Sequence, residues 1–221
     1  MNVREALETR KSTRAFLDKT VSKATITRIL EAARHAPSGV NTQPWQVAVV
    51  SGETKNKLQK RLEEAFRTGK KSNMDYSYYP DEWNSPYKER RKACGLQLYS
   101  TLDISRENRR RQIDQWAANY RAFDAPVMLL FFMDAGLQQG SFMDYGMFLQ
   151  SVMLAAVEEG LATCPQASLA EYPQIVKAML GYPEDDILLC GMALGYEDTE
   201  AVVNSYRTPR EDTGSFTRFY G

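Results

Sequence analysis

Ala125-Pro-Val-Met-Leu-Leu-Phe-Phe-Met133 is a continuous apolar run, and it reads as a buried strand. Met143 to Leu161 follows as a helix that is apolar on nearly every face. Such a helix requires burial all round, as a central helix, at a subunit interface, or both. Ile187 to Leu194 reads as a second buried strand, where Gly191 and Gly195 allow close approach of neighbours. Trp45 to Val50 supplies another strand. Helical patterns fill residues 2–10, a Ser22-capped segment with Ile26, Ile29, Leu30 and Ala33 at helical spacing, and Glu53 to Phe66. Residues 88–118 are helical in pattern with a break near Asp103-Ile-Ser105, and Tyr172 to Leu180 is closed by Gly181 and Pro183. Few strands among many helices define an α+β fold.

At 221 residues the chain fits one domain with an elaborated insertion and is long enough to bury a core. Residues 69–87 are rich in aromatic, polar and turn-forming side chains and read as a surface excursion with aromatic anchors. With the charged helical stretch after them they form an insertion at about 69–118; a polar C-terminal extension, about 197–221, ends in Phe216, Phe219 and Tyr220.

Lysine plus arginine, 28, equals aspartate plus glutamate, 28, so no global field favours nucleic acid. The basic run Arg106 to Arg111 then reads as a solvated helical face or oligomer surface. No charged-then-apolar leader precedes residue 30, and no apolar run is long enough to cross a bilayer, so a soluble cytoplasmic protein is expected. Three cysteines and a single histidine, without a CxxC or Cys/His cluster, argue against a zinc site or a disulfide scaffold. Each cysteine reads as a small buried hydrophobe. His35, at the end of a helical pattern, is the only candidate for a histidine-based triad, which makes triad hydrolysis a poor reading. Neither GxGxxG nor GxxxxGK[ST] occurs. A chain so poor in catalytic side chains suits a cofactor that carries the reaction itself.

Three short segments point to such a cofactor. Arg10-Lys-Ser-Thr-Arg14 is a basic loop, Ala36-Pro-Ser-Gly-Val-Asn-Thr-Gln-Pro-Trp45 is dense in small and amide side chains, and Arg207-Thr-Pro-Arg210 adds two more cations. Arginine forks suit a phosphate, and amides suit the edge of a polar ring.

These blocks, with Gly160-Leu-Ala-Thr-Cys-Pro-Gln166 and Asn204-Ser-Tyr-Arg-Thr-Pro-Arg210, resemble the FMN-dependent nitroreductase family in order and separation. The resemblance spans residues 10 to 210 and is weakest at about 70–118. It implies a mixed, mainly antiparallel sheet flanked by helices, in an intertwined homodimer with FMN sites at the interface. It implies that Arg10 and Ser12 bind FMN, with Arg14, Lys11, Arg207 and Arg210 as further phosphate candidates. Pro37, Ser38 and Gly39 resemble the segment that reaches the flavin from the other subunit. Asn41 is either a ligand or an amide bonding its own backbone, whereas Gln43, Pro44 and Trp45 read as structural. Asn119 matches the position of a carboxamide facing the flavin pyrimidine edge. Pro165, Gln166, Ala167 and Ser168 match the segment along the isoalloxazine, with the Ala167 backbone N–H toward N5 in place of a glutamate common in relatives. No side chain is assigned as catalytic, and no metal is expected.

The implied activity is hydride transfer from NADH or NADPH through flavin N5 to nitroaromatic or quinone-like acceptors, by a ping-pong mechanism. Tyr76, Tyr78, Tyr79, Trp83 and Trp116 are candidates for a substrate lid, or plain anchors of a long loop. The rival readings are other flavin chemistry on the same scaffold (reductive dehalogenation, flavin fragmentation, enone reduction), a non-catalytic flavin-binding protein, and a basic-helix interaction protein built on residues 88–111.

Overall fold

The computed structural model describes residues 1–221. Its centre is a four-stranded sheet of β1 (Gln46–Ser51), β2 (Val127–Met133), β3 (Ala162–Gln166) and β4 (Ile187–Gly195), in the order β1-β2-β4-β3. Every strand pair is antiparallel. The one parallel pairing is an isolated bridge between Ser12 and Thr163.

All seven residues of β2 are buried. Strand alternation sends Val127, Leu129, Phe131 and Met133 into one core and Met128, Leu130 and Phe132 into another. The first core is covered by α2 (Lys23–Ala33) and α6 (Gln139–Glu158). The second is covered by α3 (Gly52–Arg67), α7 (Pro173–Leu180) and the short 3-10 turn Ala167–Ala170. The expected α+β architecture, a sheet flanked by helices, is what the chain forms.

Local chemistry sets the helix ends. Asn2 and Glu5 close a capping box on α1 (Val3–Thr9), and the Ser22 hydroxyl accepts the Thr25 N–H at the start of α2. Gly181, at φ 74°, ends α7 in the left-handed conformation that glycine adopts without penalty. Gly191 in β4 serves close packing: a Cβ there would lie 2.5 Å from Leu169 Cδ1, in the 3-10 turn that follows β3. Residues 69–118 supply α4 (Tyr87–Thr101) and α5 (Arg109–Ala117), broken where expected; a last short helix, α8, covers Thr213–Phe216.

Two expectations need correction. Helix α6 starts at Gln139, ahead of Met143, because its first turn, Gln-Gly-Ser, carries no apolar signal. Within one chain it is buried on one face, which leaves the subunit-interface alternative open for the other. Tyr145, Phe148, Val152 and Ala156 face the sheet, while Met143 and Met147 are 73% and 40% exposed. Cys164 and Cys190 are buried as expected, but Cys94 on α4 is exposed.

Candidate active site

The N-terminal basic loop is held from two sides. Thr13 N–H donates to the Thr163 carbonyl at 3.0 Å, which fixes the loop to β3. Asn204, only 4% exposed, holds the other side. Its Oδ1 accepts the Arg14 N–H at 2.8 Å, its Nδ2 donates to the Ala15 and Asp198 carbonyls, and its own carbonyl accepts Lys11 Nζ at 2.7 Å. Arg207 donates to the Thr9 and Arg10 carbonyls at 2.9 and 2.7 Å, which caps the end of α1. The segment around Arg207 is thus fastened to the end of α1.

The result is a cavity of about 200 Å³ lined by Arg10, Lys11, Ser12, Arg14, Cys94, Tyr206, Arg207, Thr208 and Arg210. Burial, then the neighbouring Arg210 and Arg207 cations, pull the Arg10 guanidinium below its ordinary value. Converging arginines, none of them in a salt bridge, are the complement of an anion. The cations divide by role. Lys11 is committed to Glu197, at 2.7 Å, and to Asn204; Arg207 is committed to backbone carbonyls. The Arg10 side chain makes no hydrogen bond within the chain, and Arg210 bonds only its own turn at Thr208 and Pro209. Arg10, Arg14 and Arg210 are therefore the available donors.

A second cavity, about 380 Å³, opens beside the C-terminal end of β3. Pro165, Gln166 and Ala167 form one wall, and Tyr76, Tyr78, Phe142, Tyr145, Leu149 and Leu189 line much of the rest. Thr163, bridged to the basic loop, stands two residues before Pro165, about 7 Å along a strand. One strand edge thus joins a cationic hole to a flat aromatic slot.

Gln166 Oε1 and Ser168 Oγ, at the slot end of this edge, are buried and unpartnered, as are Thr163 Oγ1, Thr13 Oγ1 and Tyr206 Oη toward the cationic end. Buried polar atoms are rarely left so without a ligand or water to meet them. Gln166 Nε2 is already spent on the Asn119 carbonyl at 2.9 Å, and Asn119 Nδ2 on the Trp116 carbonyl. Asn119 therefore lies at the site, but with its amide engaged, and Gln166 presents the free acceptor. Cys164 is no redox thiol. Burial pushes it up to about 11, against the pull of Arg14 and Arg10.

Pro37, Ser38, Gly39 and Asn41 line neither cavity of their own chain. Their loop is set on α6, where Asp144 Oδ1 accepts the Gly39 N–H at 3.2 Å, and it is closed by Ser38 Oγ accepting the Gln43 N–H at 2.9 Å. Val40, Asn41 and Gln43 have left-handed φ of 45°, 60° and 49°, and Val40 is fully exposed. A β-branched residue in that region is strained. Trp45 stacks on Phe148 at 4.7 Å, as a structural residue should.

Of the aromatic insertion residues, Tyr76 and Tyr78 line the slot. Tyr79 and Trp83 continue outward as an aromatic ladder under Arg91, and Trp116 packs on Phe66, away from the slot. Tyr206, Thr208 and Cys94 at the cationic cavity, and Phe142, Tyr145 and Leu149 at the slot, were not anticipated. Tyr206 and Thr208 sit inside the quoted 204–210 block, so that block carried their signal; the others become neighbours only through tertiary packing.

With this geometry the chain belongs to the Nitroreductase family, which it matches over residues 7–196. It is 38% identical to a 4-nitrobenzoate reductase of Pseudomonas putida, over 96% of this chain and 92% of that one. It is 35% identical to a chloronitrobenzene nitroreductase of Comamonas testosteroni, over 97% and 95%. Among solved structures it resembles the FMN and NADPH-dependent nitroreductase NfnB from sphigopyxis sp. strain HMH, with 40% identity, a TM-score of 0.97 and full coverage of both chains. The FMN-dependent nitroreductase NfnB from Mycobacterium smegmatis, in complex with NADPH, aligns with 34% identity and a TM-score of 0.94 over 99% of this chain and 97% of that one.

Proposed function

We propose that the chain is an FMN-dependent oxidoreductase that uses NADPH or NADH to reduce nitroaromatic and quinone-like acceptors in the cytoplasm. The observation that carries this reading is the pairing, along β3, of the arginine-lined cavity with the aromatic slot. A ligand with a phosphate at one end and a flat polar ring at the other matches both. Reductases of nitroaromatics and FMN- and NADPH-dependent enzymes among the similar proteins support it.

FMN, when bound, supplies the hydride chemistry between nicotinamide and acceptor in two successive half-reactions. The chain's own residues bind and orient. Arg10, Ser12, Arg14 and Arg210 hold the phosphate through charge-assisted hydrogen bonds. Lys11 and Arg207 serve indirectly, by shaping the basic loop. Pro165, Gln166, Ala167 and Ser168 take the ring, with the Ala167 N–H assigned to its N5 edge. Gln166 Oε1 serves as acceptor for a ring N–H, and Asn119 orients Gln166. The aromatic walls exclude water and admit flat, electron-poor acceptors.

Residues 1–221 act as one FMN-binding unit in which the insertion supplies slot wall and the C-terminal extension closes the phosphate cavity. That unit works as a homodimer. The exposed face of α6 at Met143 and Met147, the strained loop from Pro37 to Asn41 and the exposed Phe216, Phe219 and Tyr220 favour a second copy as their cover.

The deciding experiment is an anaerobic visible spectrum of FMN-saturated, desalted protein before and after NADPH. A retained flavin band that bleaches is expected. A band that stays would favour the flavin-carrier reading, and loss of flavin on desalting would overturn the site. Light scattering should give the mass of two chains; a monomer with full FMN content would remove the dimer from the proposal.

A further inference from the structure

The base of the insertion is fastened to the sheet at a point the proposed chemistry does not use. Lys177 on α7 is 3% exposed, and its Nζ lies 2.9 Å from Asp75 Oδ2 and 2.9 Å from the Glu184 carbonyl it donates to. The same Asp75 oxygen accepts the Leu188 N–H at 2.9 Å, at the first turn of β4 into the sheet. The next residue, Tyr76, donates its hydroxyl to the Leu189 carbonyl at 2.6 Å and sets its ring edge-on to Phe142 at 5.2 Å. The ammonium thus meets one carboxylate and one carbonyl.

Ion pairs of long side chains at a surface contribute little, but a buried lysine that loses its partner is costly. The pair also serves two backbone groups, since Asp75 takes the Leu188 N–H and Lys177 meets the Glu184 carbonyl. What the pair does is fix two successive insertion residues against two successive residues of β4. Tyr76 and Leu189 both line the aromatic slot opposite Pro165–Ala167.

We propose that Asp75 and Lys177 are positioning residues for the electron acceptor: their ion pair holds Tyr76 in the slot wall and so sets which acceptors fit. This rests on the reading of the slot as the acceptor site. A small acceptor has only the slot walls to hold it, whereas a dinucleotide draws on contacts beyond them, so the two half-reactions should respond differently.

The test uses the FMN-loaded full-length protein. Asp75→Asn keeps an oxygen for the Leu188 N–H and removes the charge. Asp75→Asn/Lys177→Met removes both charges and leaves no unpaired ammonium. Tyr76→Phe cuts the Leu189 anchor and keeps the ring. Each variant is measured for thermal midpoint, rate of flavin reduction by NADPH, and kcat and KM for nitrobenzene and 4-nitrobenzoate. The expected result is a roughly tenfold rise in acceptor KM in all three, the size of effect a small misplacement causes. Flavin reduction by NADPH should change less than acceptor KM does, and the selectivity between the two acceptors should shift by about threefold or more. In the double variant the midpoint should recover while KM stays high, which separates positioning from stability. A KM that returns with the midpoint, or one unchanged in Tyr76→Phe, overturns the proposal. Failure of NADPH to bleach the wild-type flavin would instead bring down the functional reading beneath it, and this proposal with it.

Discussion

The Asn204 side chain accepts the Arg14 backbone N–H at 2.8 Å, although 190 residues separate them in sequence. The side-chain amide holds Arg14 and Ala15 of the basic loop and ties them to Asp198, while the Asn204 backbone carbonyl accepts Lys11. Asn204→Ala leaves the Arg14 N–H and two carbonyls without partners. The three groups are half-buried, so each loss costs about 1 kcal/mol, the low end of the range, and an overall loss of roughly 3 kcal/mol is expected. Chemical denaturation of the apoprotein measures it. FMN affinity should fall as well, and a variant with wild-type stability would show that the loop holds its path unaided.

Arg10 behaves in the opposite way. Its side chain has no partner in the chain and sits among Arg207 and Arg210. Arg10→Ala should therefore leave the apoprotein no less stable. A charge-assisted hydrogen bond contributes about 1.5–3 kcal/mol, so FMN retention should weaken by roughly ten- to a hundredfold. Flavin fluorescence titration reads the affinity, and equal Kd values would end the phosphate assignment.

Glu171 gives a pH signature. Burial pushes its carboxyl above the ordinary value, opposed by the hydrogen bond it accepts from Tyr120 at 2.6 Å. The folded chain then holds this proton more tightly than the unfolded one. The stability it contributes is complete below the unfolded carboxylate value, near 4.3, and is lost as pH rises through the raised folded value. Glu171→Gln stays neutral and keeps an acceptor for Tyr120. Its thermal midpoint relative to wild type should climb as the pH rises above the ordinary carboxylate value, near 4.3. A flat or falling difference would contradict the assignment.

The cysteines should separate cleanly by reactivity. Cys164 and Cys190 are buried, and burial pushes their thiols up to about 11 and about 12. Cys94 is exposed and lines the arginine cavity. Iodoacetamide at pH 8 should modify one thiol in the native protein, and Cys94→Ser should abolish that reaction. Saturating FMN should slow it, and labelling indifferent to FMN would mean that the ligand does not occupy this cavity.

Short-range patterns made much of this molecule legible. Arg10, Ser12 and Arg14 lie within five residues, so their convergence needs only one loop, and Pro165–Ser168 runs along a single strand end. The apolar run of β2 announced its burial because both its faces meet helices. What stayed hidden depends on distant partners. Nothing in Arg207 itself tells that it is spent on the Thr9 and Arg10 carbonyls, so its likeness to Arg210 in sequence conceals a different role. Cys94 looks like any cysteine until α4 turns it outward. The all-round apolar character of α6 was read correctly as a demand for burial, yet the chain meets that demand on one face.

The clasp between Arg207 and Arg10 also has a meaning in time. Their link joins residues 197 apart, one near the first turn made and one near the last. A chain emerging N-terminal end first can assemble β1, β2 and their helices while the basic loop still lacks its closing wall. The arginine cavity is complete only once residue 210 has left the ribosome. A chain interrupted before residue 207 would still carry Arg10, Ser12 and Arg14 but would lack the clasp and the Arg210 cation that complete this cavity.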